Sequence, residues 1–247
     1  MLDRKNFYID GKWVSPTEPR NHKVIDPSNE EICAEISLGG KKDVDKAVSA
    51  AKKAFENWAF SKKEERLDLL EKLYVVYKKR WAEMAKLISL EMGAPMKFST
   101  EMQAATGASH IKSFKNILKD FKFEKDLGEE KNNQKLLYEP KGVCALITPW
   151  NWPINQVNLK VIPALAAACT VVLKPSEIAP LSSMLLAEMI DEVKFPPGVF
   201  NLVNGDGAIT GDALTSHQDI DMISFTGSTR AGALISQNAA KDFKRIR

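Results

Sequence analysis

The chain has 247 residues, enough for one large domain or two small ones at roughly 150 residues each. Hydrophobic residues make up 44% and charged residues 27% with a formal net charge of +3, which excludes a disordered chain and gives no electrostatic case for binding nucleic acid. No run approaches the ~18 apolar residues of a membrane span. The start, Met1-Leu2-Asp3-Arg4, lacks the apolar core of a secretion signal, so a cytoplasmic protein is expected.

Phe7-Tyr8-Ile9 and Lys12-Trp13-Val14 flank Asp10-Gly11, a dipeptide that tolerates the positive φ of a two-residue hairpin. Asp43 is expected to cap a helix whose apolar face is Val44, Ala47, Val48, Ala51, Phe55 and Trp58. Ser61-Lys62-Lys63-Glu64 has the capping-box pattern. It opens one long amphipathic run carrying Leu67, Leu70, Leu73, Tyr77, Trp81, Met84 and Ile88, closed by Gly93 and Pro95. A further helix is expected over about Thr100 to Lys119. The aromatic residues of these helices recur at helical spacing and read as core. Residues 121–140 are highly charged around a Gly/Asn-rich centre, which predicts an exposed hairpin or projecting arm, with a solvated linker as the alternative. Exposed strand edges would suit pairing with another subunit.

The chain changes character near residue 140. The first 140 residues contain 49 charged side chains and the remaining 107 contain 18, so the second stretch is mostly buried. It alternates apolar strands, predicted at 142–148, 170–173, 198–203 and 221–225, with helices at about 155–168, 181–192, 208–217 and 228–241. This predicts an α/β fold with a doubly wound, Rossmann-like parallel sheet, preceded by N-terminal helices and a β arm. Pro163 is expected to kink the first of these helices.

Ligands of open α/β sheets gather at the carboxyl ends of the strands. At the first end, Thr148-Pro149-Trp150-Asn151-Trp152-Pro153 holds Asn151 as a single amide on a stiff frame. It suits an oxyanion donor and equally a helix cap. At the second, Lys174 and Glu177 suit the hydroxyls of an adenosine ribose, or else an ordinary loop ion pair. A carboxylate there repels a 2′-phosphate and so favours NAD, with NADP still possible. The third, Gly205-Asp206-Gly207-Ala208-Ile209-Thr210-Gly211, is one residue off the dinucleotide fingerprint and is also explained by a glycine-rich turn. The fourth, Phe225-Thr226-Gly227-Ser228-Thr229, enters a helix whose N-terminus suits a pyrophosphate, with Thr226 or Ser228 as cap.

His22, His110 and His217 lie far apart, so a hydrolytic triad has no support. Cys144 and Cys169 read as core thiols, and Cys33 lies in a β-like stretch with no activating neighbour. The three are too widely spaced for a disulfide framework or a metal site, and no metal is expected.

Taken in order, Pro149-Trp150-Asn151-Trp152-Pro153, Lys174-Pro175-Ser176-Glu177, Phe195-Pro196-Pro197-Gly198-Val199 and Phe225-Thr226-Gly227-Ser228-Thr229 resemble the aldehyde dehydrogenase superfamily, and the match extends back to Phe7. The resemblance implies oxidation of an aldehyde to a carboxylic acid with NAD(P)+ through a cysteine thiohemiacetal and thioester. It implies that Asn151 is the oxyanion donor and that Lys174 and Glu177 hold the adenosine ribose. Gly227 and Ser228, with Phe225 and Thr226 before them, would approach the pyrophosphate. Ile147, Thr148, Pro149 and Trp150 would line the cofactor channel, and Gly207 and Gly211 would lie beside the adenine. It also implies that 1–120 and 141–247 form the NAD(P)-binding domain and that 121–140 is an oligomerisation arm joining like subunits. The family's catalytic glutamate, in a Leu-Glu-Leu-Gly-Gly segment, and its later cysteine have no counterpart before Arg247. The chain is therefore expected to be the cofactor-binding part, without its catalytic domain and inactive alone. The alternative is a non-catalytic nucleotide-binding or assembly module that pairs with a full-length subunit.

Overall fold

A computed structural model describes residues 1–128 and 134–247. It opens with β1 (Leu2–Arg4), the hairpin β2 (Phe7–Ile9) and β3 (Lys12–Val14), and the pair β4 (Asn21–Asp26) and β5 (Glu31–Ser37). Asp10 and Gly11 have φ of 53° and 71°, the left-handed values that the predicted hairpin turn requires. Helices α1 (Lys41–Trp58), α2 (Lys63–Lys79) and α3 (Trp81–Met92) follow. A single turn, α4 (Met96–Phe98), then widens through a π turn at Ser99–Ala104 into α5 (Ala105–Asp120). The arm is β6 (Glu124–Asp126) paired antiparallel with β7 (Lys135–Leu137). Most of the turn predicted at its Gly/Asn centre, residues 129–133, lies outside the described residues. The alternating half is β8 (Val143–Ile147), α6 (Pro153–Ala166), β9 (Thr170–Lys174), α7 (Leu181–Val193), β10 (Phe200–Leu202), α8 (Asp212–Ser216), β11 (Met222–Phe225), α9 (Thr229–Ala240) and β12 (Arg245–Ile246).

The main sheet has the order β12-β11-β8-β9-β10-β2-β3. Its first five strands are parallel, and the N-terminal hairpin adds to β10 in antiparallel sense. Strand β8 is buried along its whole length because it is covered on both faces. Val143, Ala145 and Ile147 pack with Val44, Ala47, Leu214 and Ile235 from α1, α8 and α9. Cys144 and Leu146 face Leu70, Ile111, Val157 and Leu185 from α2, α5, α6 and α7. Strands β1, β5 and β4 form a separate small sheet.

Several local expectations are corrected. Asp43 is the third residue of α1, not its cap. Its carboxylate accepts from the Gly40 N–H (3.0 Å) and from the Thr17 N–H (2.8 Å), tying the loop before β4 to the helix. Ser61 does not cap α2; its hydroxyl turns back to donate to the Trp58 carbonyl. The long run is broken at Arg80, whose guanidinium bonds Glu83 (2.8 Å) and reaches Glu188 on α7. The glycine-rich segment is not a regular helix start. Gly207–Gly211 forms one π turn, closed by the Gly211 N–H donating to the Asp206 carbonyl (3.0 Å).

Candidate cofactor cleft

In the parallel part of the sheet, β8 is followed by β9 on one side and flanked by β11 on the other. Its helix α6 packs on one face while α9, which follows β11, packs on the opposite face. The connections therefore diverge between β8 and β11, and a crevice opens at their carboxyl ends. A cleft of about 650 Å³ lies there. It is lined by Ile147, Thr148, Pro149, Trp150, Lys174, Glu177, Gly207, Gly211, Phe225, Thr226, Gly227 and Ser228. All of the residues that the sequence assigns to cofactor binding thus meet in one place, although they come from four separate segments of the chain.

The floor is built by the strand ends. The Thr148 N–H donates to the Lys174 carbonyl (3.3 Å) and the Thr226 N–H to the Ile147 carbonyl (3.2 Å), which locks three of the four segments together. The Thr148 hydroxyl is buried and has no partner among the described residues. Lys174 is 4% exposed. Its ammonium donates to the Pro175 carbonyl (3.1 Å) and lies 3.5 Å from a Glu177 carboxylate oxygen. Burial pulls the Lys174 amine below the usual lysine range, and Glu177 partly opposes that. The lysine and glutamate are therefore a pair held at one wall.

At the second wall, Asp206 accepts from the Ile209 N–H (2.7 Å) and from Arg20 (2.8 Å). Partial burial pushes its carboxyl up, but these two donors outweigh it and hold Asp206 below the usual carboxylate range. Asp206 thus fixes the π turn, and Gly207 has open space where a Cβ would project. At the third wall, Ser228 caps α9, its hydroxyl accepting from the Ala231 N–H (3.3 Å). A Cβ on Gly227 would come 2.5 Å from the Phe225 ring, so glycine is what lets this loop enter the helix beneath the ring. Capping and ligand approach coexist here, since the capping oxygen accepts while its O–H stays available to donate.

Asn151 does not line the cleft; it lies on the surface directly after Trp150. Trp152, not Asn151, is the residue that caps α6, and no side chain makes a cap bond there. Of the two roles open to this amide, helix capping is not the one it fills.

Sequence reasoning missed the lining that α9 contributes: Arg230, Ala231, Leu234, Ile235 and Asn238. Their three- and four-residue spacing marks a single helical face and was available in the sequence. Thr215 and Asp212 of α8 meet this face, with the Asn238 amide donating to the Asp212 carboxylate (2.8 Å) and the Thr215 hydroxyl (3.1 Å). None of the three cysteines lines the cleft. Cys144 and Cys169 are buried together at the amino ends of β8 and β9, away from the cleft, and Cys33 lies on β5.

The model of the aldehyde dehydrogenase family matches residues 13–247. The chain belongs to the aldehyde dehydrogenase family. It is 51% identical over its whole length to a 3-succinoylsemialdehyde-pyridine dehydrogenase from a Pseudomonas species, of which it covers 51%. Among solved structures it matches an aldehyde dehydrogenase from Bartonella henselae with a TM-score of 0.98 and 56% identity, covering 100% of this chain and 52% of that one. A mutant of aldehyde dehydrogenase C from Pseudomonas syringae, complexed with NAD+ and octanal, matches at a TM-score of 0.95 and 46% identity, over 98% of this chain and 49% of that one. Betaine aldehyde dehydrogenase from Staphylococcus aureus, in complex with NAD+, matches at 0.93 and 32%, over 99% and 49%. The chain spans about half the length of the curated relatives it matches.

Proposed function

We propose that residues 1–120 and 141–247 form the nicotinamide-dinucleotide-binding domain of an aldehyde dehydrogenase acting on small aldehydes, and that NAD+ is the preferred cofactor. The observation that carries this reading is the convergence of four strand-end segments on one cleft at the switch point of the sheet. The donor set suits the ligand. Lys174 and Glu177 offer a cation and an anion to a vicinal diol, as an adenosine ribose requires, and the Glu177 carboxylate disfavours a 2′-phosphate. The unpartnered Thr148 hydroxyl supplies a further polar contact. Ser228, Gly227 and the first-turn N–H groups of α9 offer donors to a pyrophosphate. Gly207 and Gly211 let the backbone approach the adenine, while Ile147, Pro149 and Trp150, with Phe225 and Thr226 opposite, wall the channel. When bound, NAD+ supplies the hydride acceptor for oxidation of the aldehyde.

Asn151 is assigned as an oxyanion donor: its amide is exposed next to Trp150 and is not consumed by capping α6. No cysteine of residues 1–247 lines the cleft, so these residues by themselves are assigned cofactor binding and no aldehyde oxidation. The arm at 121–140 exposes Leu127, Leu136, Leu137 and Tyr138, which supports its use in joining like subunits. The three free cysteines favour a cytoplasmic setting. Among the described residues no helix is long and apolar enough to cross a membrane.

The test is calorimetric titration of the 247-residue chain with NAD+ and NADP+, beside the Glu177→Ser variant. Saturable binding of NAD+, tighter than that of NADP+ and shifted toward NADP+ by the substitution, supports the assignment. A variant with unchanged preference removes Glu177 from the ribose site.

A further inference from the structure

Four charged side chains line the cleft: Lys174, Glu177, Asp212 and Arg230. Three have partners within the protein. Lys174 lies against Glu177, and Asp212 accepts from Asn238. Arg230 is exposed on the cleft wall, and no carboxylate among the described residues pairs with it. Its position in the helix makes this unusual. Arg230 is the second residue of α9, a 12-residue helix with no acidic residue in its first turn. A helix N-terminus carries partial positive charge, and a cation placed there is unfavourable unless an anion balances both. None of the described residues supplies one, while the cleft passes directly over this turn through Gly227 and Ser228.

We propose that Arg230 is a further cofactor-binding residue whose guanidinium pairs with the pyrophosphate of the dinucleotide. This rests on the reading of the cleft as a dinucleotide site and adds to it a specific charge contact. Backbone N–H groups and the Ser228 hydroxyl offer only neutral donors to the diphosphate. Arg230 brings a full charge, and a guanidinium can bond two phosphate oxygens at once. Glu177 sits at the ribose wall and Arg230 at the α9 wall, so repulsion of a 2′-phosphate and attraction of the pyrophosphate are assigned to different side chains.

The test uses the 247-residue chain and its Arg230→Ala and Arg230→Lys variants, titrated calorimetrically with ADP-ribose, NADP+ and adenosine at low and high salt. Arg230 is exposed, so neither substitution threatens the fold. Arg230→Ala is expected to weaken ADP-ribose about tenfold at low salt, to leave adenosine within about twofold, and to reduce the salt dependence of ADP-ribose binding. Arg230→Lys is expected to recover part of the loss. Unchanged ADP-ribose affinity, or an equal loss for adenosine, overturns the proposal and leaves the cleft assignment intact. A loss confined to NADP+ also overturns it, by placing Arg230 at the ribose. If the unsubstituted chain binds none of the three ligands, the cleft reading falls and this inference falls with it.

Discussion

Two helices begin on the same edge of the parallel sheet, α7 after β9 and α9 after β11, and their N-termini are completed in opposite ways. At α7 the protein fills the site itself. Glu91 from α3 is 1% exposed, and its carboxylate accepts from the N–H groups of Leu181 and of Ser182 (3.1 Å). At α9 a neutral serine caps the helix, the first turn holds no acid, and the donors face an open cleft. The first N-terminus is built into the fold and the second opens onto the cleft. A glycine-and-hydroxyl loop opening a helix is therefore read as a site only after asking whether a carboxylate already occupies it.

The largest effect is expected from emptying the filled terminus. Glu91→Ala leaves two buried N–H groups unsatisfied beside a cavity, and should cost about 3 kcal/mol of stability by denaturant titration. Binding of NAD+ by the folded fraction should be unchanged, because Glu91 does not line the cleft.

A pH effect of similar size follows from the same carboxyl. Burial raises it from the ordinary glutamate range to about 7, against the pull of its two N–H donors. The folded state therefore holds the proton more tightly than the unfolded state. Stability contributed by neutral Glu91 is full below about pH 4.5 and declines as pH rises to about 7, by about 3 kcal/mol in total. Glu91→Gln should flatten this part of the stability profile. A profile that is identical in the variant contradicts the assignment.

At the open terminus the expected effects fall on binding more than on folding. Gly227→Ala forces the Phe225 ring aside and should weaken NAD+ about tenfold, with thermal stability much less affected. Ser228→Ala removes the cap of α9 and should cost about 1 kcal/mol of stability, with a few-fold loss in NAD+ affinity. A loss of stability without any loss of affinity would make Ser228 a cap only.

The cleft-facing terminus is legible in the sequence and the filled one is hidden. Phe225-Thr226-Gly227-Ser228 advertises itself because its chemistry is local to a few consecutive residues. Glu91 and Leu181 are 90 residues apart, and nothing in either segment announces the other. The same distinction explains the rest of the fold. Strands β8 and β9 are readable because burial on both faces demands continuous apolar runs. The break between α2 and α3 was not, since Arg80 ends α2 without glycine or proline and is held by Glu188 from a distant helix. Asp43 sits three residues inside the helix because it reaches back to Gly40 and across to Thr17, and only the first of these contacts is local. Of the cleft, its loop residues were found and its α9 face, Arg230 included, was missed. Loop motifs stood out, whereas the four-residue spacing on α9 resembled ordinary helix packing.

The most direct test of the central claim is a crystal structure of the 247-residue chain with NAD+. The account predicts the adenosine ribose between Lys174 and Glu177 and the pyrophosphate over Gly227 and Ser228 at the start of α9. A dinucleotide bound elsewhere on the chain, or an empty cleft at saturating NAD+, would contradict it.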